Sequence, residues 1–245
     1  MDAALAAAAT LVSIAFALST LDRYLRRQRP QELAWSVSLG LFAIGAGALW
    51  WAETRGWSLA TFRVFYLCGA VLTVPWLALG TVYLLAGRSI GDRVRFWLVL
   101  LTGVSIGLVL FAPTRQVVAG KELPTGSDVF GIAPRVAAAV GSGVAAVVIL
   151  AGALWSVVRI VRRREPAMTG VRRSASSPAH LVAGNLLIAS GTVVLSASGT
   201  LAGRLGKDTA FVTTLLIGIV LLFAGFLVAS TTQPATVHAL HQRAA

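Results

Sequence analysis

From Leu59 to Leu85 the chain reads LATFRVFYLCGAVLTVPWLALGTVYLL and carries a single formal charge, Arg63. A helix rises 1.5 Å per residue, so about 20 residues cross a bilayer's hydrocarbon core and this stretch can do so tilted. In hydrocarbon every backbone N–H and C=O must find its partner inside the protein, which restricts a spanning segment to a helix or a closed barrel. An unbroken apolar run of this length, without strand-like alternation, predicts a helix. The rest of the chain is of the same kind: 57% of its residues are hydrophobic and 12% charged, where a soluble domain carries about 25% charged residues. The expectation is an all-α, polytopic transmembrane protein forming one domain over residues 1–245.

Similar runs recur on both sides. The predicted spans cover residues 3–21, 33–52, 59–85, 96–111, 136–158, 181–201 and 210–229, a seven-helix bundle. In the first, the basic run RYLRRQR follows the apolar core; a cleavable signal would place its charge before it. Six spans, with the Ala-rich first segment lying at the interface, is the alternative. RSIGDRVR, after the third span, reads as a short loop. The stretch 112–134 is broken by Pro113, Gly120, Pro124, Gly126, Gly131 and Pro134; being longer than the roughly 12 to 15 residues usual for a structureless connection, it is expected to fold over one mouth of the bundle. Residues 159–180 read as a basic loop and 230–245 as a tail.

Arginine placement orients the bundle. Fourteen of the 21 basic residues fall on one side and six on the other, with Arg63 between. The positive-inside rule then gives a cytoplasmic-membrane protein, N-terminus outside and C-terminus cytoplasmic. The formal charge of +12 is spent on these flanks, and no soluble basic domain remains for nucleic acid. Two of the flanks match: Arg23, Arg26, Arg27 and Pro30 align with Arg159, Arg162, Arg163 and Pro166, and after a loop insertion Arg55, Phe62 and Gly69 align with Arg204, Phe211 and Gly218. Spans one to three would then repeat as five to seven around span four, a 3+1+3 parallel repeat of the kind that places transporter sites at a repeat interface. Basic runs must follow outward-to-inward helices in any case, so topology alone is a second explanation.

Several residues are candidates for binding. Arg63, one turn inside its helix, either snorkels to the interface or pairs with Glu53 and lines a site with Tyr66 and Trp57. Pro75 deprives a carbonyl near Val71 of its donor; Thr73 or Trp76 is placed to help satisfy it, and the kink could serve as a hinge or a midplane binding feature. In span six, Asn185, Ala189, Thr192, Ser196, Gly199 and Gly203 recur every three or four residues, a stripe suited to close helix packing or to a solute path. Ser36, Gly40, Ala43 and Gly47 in span two, Gly103 and Gly107 in span four, and Thr214, Gly218 and Gly225 in span seven read as contact faces. The basic set Arg159, Arg162, Arg163, Arg164, Arg172 and Arg173 suits anionic lipid, at roughly 1 kcal/mol per residue, or a partner protein.

The absences exclude chemistry. No Asp or Glu lies within a predicted span, so a carboxylate relay or an intramembrane aspartate catalyst has no member. Cys68 is the single cysteine, and His180, His238 and His241 sit at a rim and in the tail, which leaves no set for a metal centre or haem. Neither a phosphate-cradling glycine loop nor a nucleophile elbow is present. No enzyme activity, metal or cofactor is expected.

FYLCGAVLTVPWLALGTVYLL, NLLIASGTVVLSASGT and FVTTLLIGIVLLFAGFLVA resemble segments of uncharacterised multi-span membrane proteins of GC-rich bacteria, a resemblance that implies no activity. The three-plus-one-plus-three layout resembles the SWEET-class sugar facilitators in topology only, since the gate prolines of that family are missing from spans one, two, five and six. The seven-span layout is likewise similar to the rhodopsins in topology, without a lysine in the final span to carry retinal. The function expected is to bind or pass a small, uncharged or weakly polar molecule or a lipid between spans two, three, six and seven. The competing expectation is an accessory subunit or sensor with a membrane-protein partner or a second copy of the chain.

Overall fold

A computed structural model describes residues 2–116, 118, 120, 123–162, 183–184, 186–195 and 208–230. Five of its helices are long and apolar enough to cross a membrane, and by helix length and hydropathy the chain is a multi-pass membrane protein. They are α1 (Asp2–Arg27), α2 (Pro30–Arg55), α3 (Leu59–Ala86), α4 (Arg88–Leu110) and α5 (Ile132–Arg162). Two shorter apolar stretches follow: α6, described over Leu186–Leu195, and α7 (Asp208–Ser230), apolar from Phe211 to Gly225. These fall within the predicted spans 181–201 and 210–229.

The helices outrun the hydropathy that predicted them. The fourth begins at Arg88, eight residues before Phe96, because RSIGDRVR is its first two turns rather than a loop. The second starts at Pro30, whose fixed φ and missing N–H suit a first helical position. Two very tight connections result. Only Gln28 and Arg29 separate α1 from α2, with Gln28 at φ 51, and only Gly87, at φ 81, separates α3 from α4. A side chain is strained at that φ, which is why glycine stands there.

α3 is the centre: 56% of its apolar window is buried, against 11% of that in α5. It packs on α2, α4 and α5, while α1 packs on α2 and α7. Leu39, Leu49, Phe62, Val71, Leu77, Ile149, Val212 and Ile219 form the shared core. Where backbones come close, glycine makes room. A Cβ on Gly45 would sit 3.2 Å from Gly69 N, so α2 and α3 nearly touch there. On α6 and α7, Cβ atoms at Gly191 and Gly225 would stand 2.8 Å from the carbonyl oxygens of Gly218 and Gly184. Gly218 and Gly225 thus form a contact face as expected, met among the described residues by Gly184, Ile188, Gly191 and Leu195; of the predicted stripe, Asn185, Ser196, Gly199 and Gly203 lie outside the described residues. Gly103 and Gly107 differ from expectation among the described residues: a Cβ at either would meet no described atom within 4 Å.

The middle of α3 is wound as a π-helix from Tyr66 to Leu72, and its cause lies in the chain itself. Pro75 has no N–H, so a carbonyl upstream loses its donor. The wider winding lets Thr73 N reach Cys68 O, reinforced by Thr73 Oγ1 at 2.7 Å. Ser142 on α5 donates to Ala70 O, and Ser38 on α2 donates to Thr73 O at 2.8 Å. Thr73 thus bonds Cys68 O rather than the carbonyl near Val71 that the sequence singled out, and the donors to Ala70 O and Thr73 O come from neighbouring helices. Trp76 points elsewhere.

Candidate functional site

The two ends of α3 are built differently. At the Trp57 end, α2 stops at Gly56 (φ 87) and Trp57 N donates to Gly120 O at 2.7 Å. The stretch after α4 folds back over this end, as its length and breakers predicted: Thr114 pairs with Phe130 in an antiparallel bridge and Arg115 N donates to Val129 O. Phe130 is wholly buried, against Phe62 at 5.5 Å and Tyr66 at 5.0 Å between ring centroids. Trp57 and Phe65 complete the aromatic group, and Phe65 meets Phe211 of α7 edge-on.

Arg63 is half-buried beneath this plug and its Nη2 donates to Ala112 O at 2.8 Å. The ion pairs among the described residues are Arg23–Glu32, Arg26–Asp22, Arg88–Asp92 and Arg95–Asp92; the expected Glu53–Arg63 pair is not one of them. Tyr66 and Trp57 belong to the aromatic group, each meeting Phe62, and Arg63 bonds Ala112 O beside them in the chain. Trp76 lies thirteen residues along the helix from Arg63, about 20 Å away.

At the opposite end the two tight connections stand side by side and leave a cleft of about 160 Å³. Leu33, Ala34, Trp76 and Leu79 give it an apolar floor, and Tyr24, Gln28, Pro30, Tyr83, Arg88, Asp92 and Arg95 line the remainder. Trp76 is held by its Nε1 donating to Thr102 Oγ1 of α4 at 3.3 Å. Tyr83 is held by the α3–α4 turn: a Cβ at Gly91 would overlap its ring, and its hydroxyl donates to Asp92 Oδ1 at 2.8 Å. Arg88 and Arg95 approach the same carboxylate at 3.8 and 3.7 Å, with Arg88 79% exposed and Arg95 51%. Two guanidinium groups thus share one carboxylate that a tyrosine also engages. Behind the cleft, Arg23 and Glu32 stand 3.8 Å apart across the α1–α2 connection, both largely buried.

Of the candidates taken from the sequence, Trp76 lines this cleft and Thr192 does not, being buried with its hydroxyl donated to Ile188 O of its own helix. Asn185, Ser196, Arg163, Arg164, Arg172 and Arg173 lie outside the described residues, while Arg159 and Arg162 fall in the last turns of α5. Arg88, Asp92 and Arg95 are not among the sequence candidates because RSIGDRVR reads there as a loop, and Tyr83 is not because it lies in an apolar span with nothing in its own segment to mark it. Their signal was there: Arg88, Asp92 and Arg95 stand at i, i+4 and i+7, one face of a helix. No group of three or more His, Cys, Asp or Glu side chains able to hold a metal occurs among the described residues.

No known protein family matches the chain, and comparison with curated proteins and with solved structures likewise finds no match.

Proposed function

We propose that this protein is a non-catalytic, seven-span bundle of the cytoplasmic membrane, with its arginine-rich end inside, that binds one small amphipathic molecule or lipid in the cleft between the α1–α2 and α3–α4 connections. The observation that supports this reading is the lining: an apolar floor of Leu33, Ala34, Trp76 and Leu79 below a polar rim of Gln28, Tyr83, Arg88, Asp92 and Arg95. Such a gradient favours a ligand with one apolar and one polar end, since each part is desolvated only where it is matched. Trp76 supplies a rigid apolar wall without leaving its indole N–H unpaired. The site sits where helix ends leave the hydrocarbon, so a ligand reaches it without crossing the bundle.

The test is native mass spectrometry of protein extracted gently from its own membrane. A one-to-one adduct is expected in the wild type and in Y66F, and is lost in W76A and in Q28W, which fills the rim without emptying the core. An adduct that survives both cleft variants places the ligand elsewhere and ends this reading.

A second reading has its own support. Among the described residues α4 and α5 bury only 17% and 11% of their apolar windows, and Gly103 and Gly107 meet no described neighbour within 4 Å. Small residues on such a face let another helix approach closely, which suits an accessory subunit docked on a membrane-protein partner or a second copy, aided by the basic run Arg159–Arg173. Deleting residues 169–177 and substituting G103L and G107L would dissociate that partner and leave the cleft adduct in place.

A further inference from the structure

We infer that the polar end of the cleft's ligand is a phosphate group, read by Arg88 and Arg95; this rests on the cleft being a ligand site. Three observations carry it. First, the two arginines face one carboxylate between them, at 3.8 and 3.7 Å, longer than a charge-assisted hydrogen bond. Both keep donors to spare, and being exposed they leave Asp92 at small cost. A guanidinium's planar fork fits two phosphate oxygens at once. Second, Tyr83 holds Asp92 from the side, its hydroxyl 2.8 Å from Oδ1, so an arriving anion displaces the carboxylate's loose partners and leaves its firm one in place. Third, the cleft's wall carries the starts of two long helices. Pro30 opens α2, Arg88 opens α4, both line the cleft, and neither helix has a side-chain cap. The positive ends of two helix dipoles add to the guanidinium charges. The two connections that flank the cleft, residues 22–32 and 88–95, carry seven arginines and three carboxylates, an excess of four positive charges.

Volume limits what enters. About 160 Å³ corresponds to the space of about five waters, enough for a phosphate and its first carbons against Trp76 and too small for a whole two-chain lipid. The ligand is a phosphate ester with an apolar remainder, and the source is either a membrane phospholipid head or a water-soluble ester.

The full-length protein, stripped of lipid in detergent, is titrated by calorimetry with dihexanoyl phosphatidic acid, with dihexanoyl glycerol and with glycerol phosphate. The phosphatidic acid is expected to saturate at one per chain and the neutral glycerolipid of the same tails to bind at least tenfold more weakly. R88Q and R95Q each weaken the phosphatidic acid about tenfold at an unchanged unfolding temperature, and R55Q, at the far end, has no effect. Glycerol phosphate binding as tightly as the lipid keeps the phosphate assignment, overturns the apolar remainder and makes the source a soluble ester. If the neutral glycerolipid binds as tightly and R88Q and R95Q change nothing, the phosphate assignment is overturned while the cleft survives. If no probe binds and W76A matches wild type throughout, both fall.

Discussion

At the Trp57 end of α3, Arg63 is tucked under a folded loop and spends its donor on a backbone carbonyl, that of Ala112. At the other end, Arg88 and Arg95 stand exposed over a cleft and share Asp92. The same side chain serves two purposes. Beneath the plug its Nη2 ties α3 to the carbonyl of Ala112, just past the end of α4. At the cleft it is left loosely engaged, which costs little in water and keeps donors available. Phe130 is wholly buried at the first end, whereas Trp76 lines an open cleft at the second, which is the end proposed above to hold a ligand.

Substitutions sharpen that contrast by their cost. F130A empties the centre of the plug and is expected to destabilise the protein by about 3 to 5 kcal/mol, the range for a buried aromatic truncated in a packed core; thermal unfolding in detergent measures it. R63Q removes a charge-assisted bond to Ala112 O, worth about 1.5 to 3 kcal/mol, and amide exchange at Arg115, whose N–H bonds Val129 O, is expected to rise while that of α4 is unchanged. S142A, which leaves Ala70 O without its cross-helix donor, sits between the ends and costs about 0.6 to 1.7 kcal/mol. R88Q changes stability least, by less than about 1 kcal/mol, while abolishing most ligand retention. A stability loss at Arg88 as large as that at Phe130 would erase the distinction between the ends.

Much of the fold was legible because the bilayer imposes it. Apolar length located α1 to α5, and Pro75 announced a disturbance in α3. The nature of that disturbance was not legible: a π-turn is stable here because Ser38 and Ser142, 35 residues before Thr73 and 72 after Ala70, reach its carbonyls, and such partners exist only once helices are packed. The plug was foreseen from its breakers, though not its seal by Trp57 and Phe130. The cleft was missed for a definite reason. Hydropathy reports where the hydrocarbon ends, whereas helical hydrogen bonding continues into water, and Arg88 to Arg95 is where the two part company. Of the expected set, Arg63 and Trp76 stand thirteen residues apart on one helix, about 20 Å along its axis, and Trp76 lines the cleft at the far end.

The account stands most directly on hydrogen–deuterium exchange of the gently extracted protein compared with the same protein after exhaustive removal of lipid. Loss of the ligand is predicted to raise exchange at the starts of α2 and α4, residues 30–34 and 88–95, and to leave the plug at 112–116 and 123–130 unchanged. Faster exchange in the plug with no change at the two helix starts would contradict it, and would make the Arg63 end the ligand site.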